Sequence, residues 1–208
     1  MTWILSSSSA TAALNIVDGV GPWEGHGSHY SRRTPGSKTF TGVGQEIVLV
    51  TKDGSAVWAV VRQRTPSARG TGGSRGRVGA PDPAPRFVWR NMCFRNLVPA
   101  ALSSDLIVSA TARTYEEWAK KYGALPIEIL RTEIDPRRVR STNPGCCYKK
   151  AGYHNSRMVR GKIYLDAPCP TLLLLGECSC CARSQFQSRA IYRNEKPGGP
   201  RVVGVRRC

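Results

Sequence analysis

The feature that most constrains the fold is one long amphipathic segment, Ser103 to Tyr122, which lies between two apolar stretches. At about 100° per residue, its large apolar side chains fall within one arc of roughly 160°, which predicts a helix with a single buried face. These side chains are Leu106, Ile107, Ala110, Trp118 and Tyr122. Ser103 or Ser104 can cap the start of this helix, Asp105 lies in its first turn, and Gly123 follows its end.

The stretches on either side of this helix have the composition of strands. Arg86 to Phe94 contains Phe, Val and Trp, and Ile127 to Ile134 follows a proline. A strand, a helix and a second strand in this order predict a right-handed crossover between parallel strands. Ahead of this unit, Glu46 to Thr51 and Ala56 to Gln63 predict an antiparallel hairpin, because Asp-Gly lies in the turn between them.

After the crossover we predict a short helix at Pro144 to Lys150, then strands at Val159 to Leu165 and Thr171 to Leu175. The predicted class is therefore α/β, with a single mixed central sheet, an antiparallel N-terminal hairpin and a strand–helix–strand crossover.

Composition divides the chain into one domain and two flanking segments. Residues 1–24 belong to a stretch rich in Gly, Ser and Pro, and we expect them to be irregular. Residues 25–175 form the predicted folded domain, in which residues 65–85 have no periodicity and predict a mobile basic loop. Residues 176–208 form a tail rich in Cys and Arg.

The chain is strongly basic, with 31 Lys and Arg against 14 acidic residues and a formal net charge of +17. Such an excess favours an anionic partner, of which nucleic acid is the most common and an acidic membrane surface the next. Because the cations are spread along the chain, we expect folding to assemble them into one face for double-stranded DNA. The candidate contacts are Arg32, Arg33, Lys38, Arg137, Arg138, Arg140, Lys149 and Lys150.

The sequence gives no sign of a membrane protein or a secreted one. It has no run of eighteen or more apolar residues, and its first residues lack a basic region before an apolar one. We therefore expect a cytoplasmic protein whose eight cysteines are free thiols. A late group could offer thiolates to zinc, but it lacks a second C-x-x-C pair, and we expect reduced cysteines there. This group is Cys169, Cys178, Cys180 and Cys181.

One segment has the features of a phosphate site, and a second places a tyrosine on a short helix. The first, from Arg95 to Ala100, lies between a predicted strand and a capped helix, where backbone N–H groups and the positive helix end attract phosphate. The second runs from Asn143 through a short helix that carries Tyr148 and ends at Gly152-Tyr153. A plain turn and a buried aromatic residue are the simpler interpretations of each segment taken alone.

In this order the two segments resemble the GNAT superfamily of N-acyltransferases. At the first position that family carries Arg/Gln-x-x-Gly-x-Gly/Ala, which cradles the coenzyme A pyrophosphate; here Arg95 and Ala100 match, and Val98 replaces the first glycine. Tyr148 matches a tyrosine that can protonate the leaving thiolate. The resemblance implies acetyl-CoA or a related acyl-CoA as cofactor, bound by Arg90, Arg95, Asn96, Val98, Ala100, Ser103, Ser104 and Asn143.

A third group of residues is similar to the Mom branch of GNAT-like proteins, which are phage enzymes that modify adenine in DNA to evade host restriction. The group consists of His29-Tyr30 with Ser-Arg-Arg after it, the Ser103-Ser104-Asp105 run, Asp135 and Tyr148. The similarity covers residues 25–165. It implies a DNA-modifying enzyme, associated with DNA in a bacterial host cell, with His29, Tyr30, Asp135 and Tyr148 lining its catalytic site.

In this interpretation His29 has a suitable pKa to take a proton from the attacking amine, and Asp135 could orient it or accept the proton. The adenine N6 lone pair is delocalised into the ring, so direct acyl transfer would need strong activation, and the transferred group stays open. Two alternatives remain. One is an ordinary acetyltransferase of protein or small-molecule amines, which leaves the charge and the His-Tyr pair unexplained. The other is a non-enzymatic nucleic-acid-binding protein, which leaves the two cofactor segments unexplained.

Overall fold

The computed structural model describes residues 1–32, 34–64, 87–98, 101–122, 129–139 and 141–168. These residues form one mixed sheet of seven strands with helices around it. The strands are β1 (Trp3–Ser6), β2 (Gln45–Thr51), β3 (Ala56–Arg64), β4 (Phe87–Asn96), β5 (Ile129–Ile134), β6 (His154–Val159) and β7 (Lys162–Asp166). The α-helices are α1 (Thr11–Asp18), α2 (Ser103–Tyr122) and α3 (Cys146–Lys150), and short 3-10 turns span Gly21–Trp23 and Pro136–Arg138.

The strand order is β1-β2-β3-β4-β5-β7-β6. Within the described ranges, β4 and β5 are the one parallel pair, and α2 connects them. The predicted α/β class with a single mixed sheet is therefore confirmed, as are the β2–β3 hairpin and the bounds of the long helix.

The strands β2 and β3 lie inside the sheet and are buried on both faces. Residues 47–50 and 56–61 are buried without interruption, which is the pattern of strands covered by helices on both sides. On one face, Ile16 and Val17 of α1 lie in a cluster with Val48 and Val57. On the other face, Trp58 Nε1 donates to Thr114 Oγ1 of α2 at 3.0 Å.

The parallel strands β4 and β5 separate part of the way along their length. They pair from Val88–Ile129 to Asn91–Thr132. Beyond that point β4 runs on to Asn96 beside β3, and β5 runs on to Ile134 beside β7. A gap therefore opens at the carboxyl ends of the parallel pair, which is where open α/β sheets bind ligands.

The prediction that residues 1–24 are irregular is wrong. Trp3–Ser6 joins the sheet as β1, and Thr11–Asp18 forms α1, with Ile16 and Val17 fully buried. A strand of four residues and a helix of eight are too short for hydrophobic periodicity to reveal, and only their packing stabilises them.

The single strand predicted at Val159 to Leu165 is in fact a hairpin. Its turn consists of Arg160 and Gly161, whose φ angles are 50° and 75°. Arginine rarely occupies such a position, so the sequence carries a weak turn signal there. The short helix begins at Cys146, two residues later than Pro144. The predicted loop at 65–85, the strand Thr171 to Leu175, the tail at 176–208 and the late cysteines lie outside the described residues.

None of the helices in the described ranges is long and apolar enough to cross a membrane.

Candidate functional site

A cleft of about 530 Å³ occupies the gap between β4 and β5. Its floor comes from residues 90–94 of β4 together with Thr132 and Glu133 of β5. The segment between α1 and β2 forms one wall, and Asp135, Arg138 and Lys162 lie on the opposite side. The predicted site residues that line this cleft are His29, Tyr30, Arg32, Arg90, Asp135 and Arg138.

His29 is held in one orientation at the cleft wall. Its backbone N–H donates to the carbonyl of Val17 at 2.8 Å, and its Nδ1 accepts from the backbone N–H of Ser31 at 3.2 Å. Burial, followed by the nearby charge of Arg95, lowers the pKa of His29 to about 4. A backbone N–H only donates, so the neutral imidazole carries its proton on Nε2. His29 is therefore uncharged at neutral pH, and its Nδ1 lone pair is already engaged.

Tyr30 lies beside His29, with the two ring centroids 4.4 Å apart. The guanidinium carbon of Arg138 lies 5.8 Å from the centre of the Tyr30 ring. Burial, assisted by Cys93 and Cys147, raises the pKa of Tyr30 to about 12. The phenol therefore keeps its proton at neutral pH and can donate a hydrogen bond.

Asp135 marks the end of β5 and caps the 3-10 turn that follows. Its Oδ1 accepts from the backbone N–H of Arg137 at 3.1 Å, and the Arg137 guanidinium binds both carboxylate oxygens at 3.0 Å. These hydrogen bonds from Arg137 hold the pKa of Asp135 at about 2. The carboxylate is thus ionised at neutral pH and suits an acceptor role better than proton abstraction, which needs a pKa nearer the working pH.

Tyr148 does not line the cleft, in contrast to the other three residues predicted to be catalytic. It is buried behind the floor, and its hydroxyl donates to Asn91 Oδ1 at 2.8 Å. Burial raises its pKa well above the ordinary value for tyrosine. The prediction that Tyr148 lines the catalytic site is therefore wrong. Its hydroxyl contacts Asn91 of the floor from inside the fold, and the side chain itself does not line the cleft.

Asn91 connects Tyr148 to an irregularity in the floor. Its Nδ2 donates to the carbonyls of Ala59 and Cys93, both at 3.3 Å. The β3–β4 register passes from Ala59–Cys93 to Val60–Asn91, which leaves Met92 opposite no residue of β3 and so creates a β-bulge. Asn91 therefore braces the bulge. Sequence reasoning missed it, although an amide in the middle of a strand rich in apolar and aromatic residues was an available signal.

A group of paired charges forms the rim next to β7. Glu133 accepts from Arg90 Nη2 and from Lys162 Nζ, and Arg90 Nη1 donates to Gln63 Oε1 at 3.1 Å. Burial opposes ionisation of Glu133, but the hydrogen bond from Lys162 and the charge of Arg90 outweigh it and lower the pKa of the carboxyl group. Two cations therefore share one carboxylate, and this group gives the rim a net positive charge.

The predicted cofactor segment uses its side chains for internal contacts. The Arg95 guanidinium donates to the carbonyls of Ile16, Val17 and His26 at 2.9–3.0 Å. Asn96 accepts from the backbone N–H of Val98 and donates to the carbonyl of Ala101. The prediction that these two side chains hold a pyrophosphate is therefore wrong, because each satisfies main-chain groups instead.

The other predicted cofactor residues are spread around the fold. Ser103 and Ser104 begin α2, Val98 is partly exposed just ahead of it, and Asn143 is exposed in the turn before α3. Ala100 lies outside the described residues.

Of the predicted DNA contacts, Arg32 is buried and ion-paired. Its guanidinium binds both carboxylate oxygens of Asp18, at 2.6 and 3.0 Å, and its side chain is 2% exposed. It is therefore a structural residue and not a phosphate contact. The exposed candidates are Lys38, Arg137, Arg138, Lys149 and Lys150. Arg33 and Arg140 lie outside the described residues.

Comparison with known proteins gives no relative: neither a family profile, nor a curated protein, nor a solved structure matches this chain. Across the ranges that the structure describes, no three His, Cys, Asp or Glu side chains are grouped closely enough to hold a metal ion.

Proposed function

We propose that this chain is a DNA-modifying transferase of the GNAT type that acts on adenine in double-stranded DNA in a bacterial cytoplasm. The observation that carries the proposal is the meeting of His29, Tyr30 and Asp135 in one cleft at the point where β4 and β5 separate. Asp135 follows His29 and Tyr30 by more than a hundred positions in the sequence, so it is the fold that brings the three together.

The topology supports the GNAT type. In that family the cofactor and the acceptor meet where the central strands of the sheet splay apart. Here the parallel pair β4–β5 separates after Asn91 and Thr132, and α2 and α3 follow the two strands in the order that the family requires.

A bound acyl-CoA would supply an activated thioester for transfer. Its pyrophosphate would have to bind without the side chains of Arg95 and Asn96, which are occupied by main-chain groups. The backbone N–H groups of Ser103 and Ser104 fit this role, because they lie in the first turn of the 20-residue helix α2 and have no acceptor within it.

The cleft residues suit the handling of an extruded base. Tyr30 offers an aromatic ring and a protonated hydroxyl, and stacking on such a ring is a common way to hold a base outside the duplex. Asp135 offers a carboxylate that can accept a hydrogen bond from an exocyclic amine. His29, engaged by Ser31, fixes the position of Tyr30 in this proposal and does not serve as the base.

The charge distribution supports a nucleic-acid substrate. Residues 129–168, which follow the crossover helix, contain nine Lys and Arg but only three acidic residues. The three carboxylates, Glu133, Asp135 and Asp166, are all ion-paired within the chain, so the surplus is available to phosphate.

The decisive experiment is mass spectrometry of nucleosides from the DNA of cells that express the protein. We expect a modified deoxyadenosine with the wild type, and its loss in Tyr30→Phe and Asp135→Ala while DNA binding survives. Unmodified DNA together with newly acetylated protein or small amines would favour the ordinary acetyltransferase. Unmodified DNA with tight duplex binding alone would favour a non-enzymatic DNA-binding protein.

Calorimetry with acetyl-CoA tests the cofactor separately. We expect Val98→Gly to tighten binding, because removal of the side chain lets the backbone approach the pyrophosphate more closely. The absence of a binding signal in both wild type and Val98→Gly would eliminate acyl-CoA as the donor.

A further inference from the structure

The β6–β7 hairpin ends in an exposed apolar tip between two cations. The Met158 side chain is 70% exposed and that of Val159 is 39% exposed. Arg157 and Arg160, which flank them in the sequence, are also exposed, and among the described residues neither forms a salt bridge. The Arg157 guanidinium lies 5.2 Å from the centre of the Tyr164 ring. A single exposed apolar residue is ordinary, but two between cations that no carboxylate neutralises form a surface suited to a polyanion with an apolar interior, such as a stacked duplex.

The turn at this tip is tight and its backbone is strained. Val159 pairs with Lys162, so Arg160 and Gly161 alone make the turn, and both have positive φ, as type I′ turns require. Arg160 is the one non-glycine residue with positive φ in the part of the chain that the structure describes. Asn or Gly would fit this position better, so the arginine here favours a role for its charge.

The tip lies next to the candidate cleft. Lys162, directly after the turn, lines that cleft and binds Glu133 on its rim. A ligand bound by Arg157 and Arg160 would therefore lie beside the opening of the cleft.

We propose that this tip is a wedge that enters stacked DNA beside the target base, with Met158 and Val159 between base steps and Arg157 and Arg160 on the flanking phosphates. The proposal rests on the proposed function, since a base can reach the cleft only after it leaves the stack. Apolar side chains that part base steps, with cations on the backbone around them, are a recurrent means of distorting a duplex. The nine cations of residues 129–168 favour DNA over an apolar protein partner.

The test uses a duplex with 2-aminopurine in place of the target adenine, a base whose fluorescence rises when it unstacks. Wild type is compared at saturating protein with Met158→Ser/Val159→Ser. The matched control is Ile4→Ser/Leu5→Ser, which removes two exposed apolar side chains from β1, the opposite edge of the same sheet, where the first nine residues carry no charged side chain. All three proteins keep their buried residues, so we expect all of them to fold.

We expect wild type and the control to raise the fluorescence equally. The rise with the wedge variant should be smaller by about threefold or more, because no apolar side chain then fills the space between the parted bases. A wild-type rise in the wedge variant, or no rise in wild type despite saturated binding, would overturn the wedge and leave DNA as the partner. Failure of wild type to bind the duplex in a salt-dependent manner would overturn the DNA partner itself, and the wedge with it.

Discussion

The sheet has two sides, β1–β4 and β5–β7, which meet where β4 separates from β5. The two sides differ in how far their strands are buried and in their charge. On the β1–β4 side, β2 and β3 are buried on both faces between α1 and α2, and residues 1–64 and 87–98 together contain eight cations and four carboxylates. On the β5–β7 side, β6 is an exposed edge strand, and residues 129–168 contain nine cations and three carboxylates.

This contrast indicates that the two sides of the cleft have different roles, one in stability and the other in charge. Apolar burial on the β1–β4 side gives the free energy that holds the sheet together, since buried apolar area is the main stabilising contribution in a domain. The β5–β7 side can therefore hold mutually repelling cations, which destabilise a fold unless a polyanion neutralises them. The cleft lies at the junction, where a rigid floor meets a charged rim.

The largest expected effect is on the stability of the β1–β4 side. Trp58 is fully buried, donates to Thr114 and contacts Phe94 and Tyr148. We expect Trp58→Ala to lower the free energy of unfolding by about 3–5 kcal/mol in urea titration. On the other side, Met158→Ala should change it by less than about 0.5 kcal/mol. Similar losses of unfolding free energy in both variants would contradict the proposal that the β1–β4 side supplies most of the stability.

The next prediction compares two pairs of adjacent lysines, one on each side of the junction. Lys149 and Lys150 are exposed on α3, and Lys120 and Lys121 are exposed at the end of α2. We expect Lys149→Glu/Lys150→Glu to weaken duplex binding by roughly tenfold or more and to reduce the salt dependence by about two phosphate contacts. The α2 pair, changed in the same way, should have a much smaller effect in fluorescence anisotropy across a salt series. Equal effects would show that duplex binding depends on the net charge of the protein and not on where the lysines lie.

The third prediction concerns the cleft wall and pH. The pKa of His29 is about 4 in the folded chain, against 6.5 as its ordinary value. Between these values the unfolded chain binds a proton that the folded chain does not, so stability falls as pH decreases from 6.5 to 4. This contribution is on the order of 1–3 kcal/mol.

We expect His29→Gln to lose less stability than wild type between pH 7 and 4.5, measured by urea unfolding at each pH. Parallel curves for the two proteins would mean that His29 titrates normally and is more open to the cleft than the structure indicates.

The fourth prediction, with a smaller expected loss of stability than Trp58→Ala or the titration of His29, compares two buried tyrosines near α3. Tyr148 donates to Asn91, whereas the hydroxyl of Tyr153 is paired with Thr111 away from the cleft. Each Tyr→Phe change should cost about 0.5–1.5 kcal/mol, the value of one buried hydrogen bond. Only Tyr148→Phe should lower DNA modification, by about tenfold or more, because it frees the floor that Asn91 braces. Equal modification rates in the two variants would show that Tyr148 contributes only to the core and not to the cleft floor.

Asn91 gives this comparison a further test. Asn91→Ala should reproduce the effect of Tyr148→Phe on modification, and the double variant should lose little more, since both act through one hydrogen bond. Additive losses, measured by the same nucleoside mass spectrometry, would show that the two side chains act independently.

The sequence by itself determined the elements whose signals are local. The helix Ser103–Tyr122 was predicted with its observed bounds, because its apolar face repeats over five turns. The β2–β3 hairpin followed from two apolar runs around Asp-Gly, and the class followed from the strand–helix–strand order. His29, Tyr30 and Asp135 line one cleft, and their role in a reaction stays a prediction.

Only the tertiary structure decided which polar side chains face the cleft and which serve the fold. Arg32, Arg95 and Arg138 are alike in the sequence, yet Arg32 pairs with Asp18, Arg95 binds carbonyls nearly eighty residues away, and Arg138 remains at the cleft. Likewise, the bulge at Met92 and its brace depend on the register between β3 and β4 and on the approach of Tyr148 from α3. The reason is physical: periodicity and turn preference act within a few residues, whereas a guanidinium takes whichever acceptors folding brings to it.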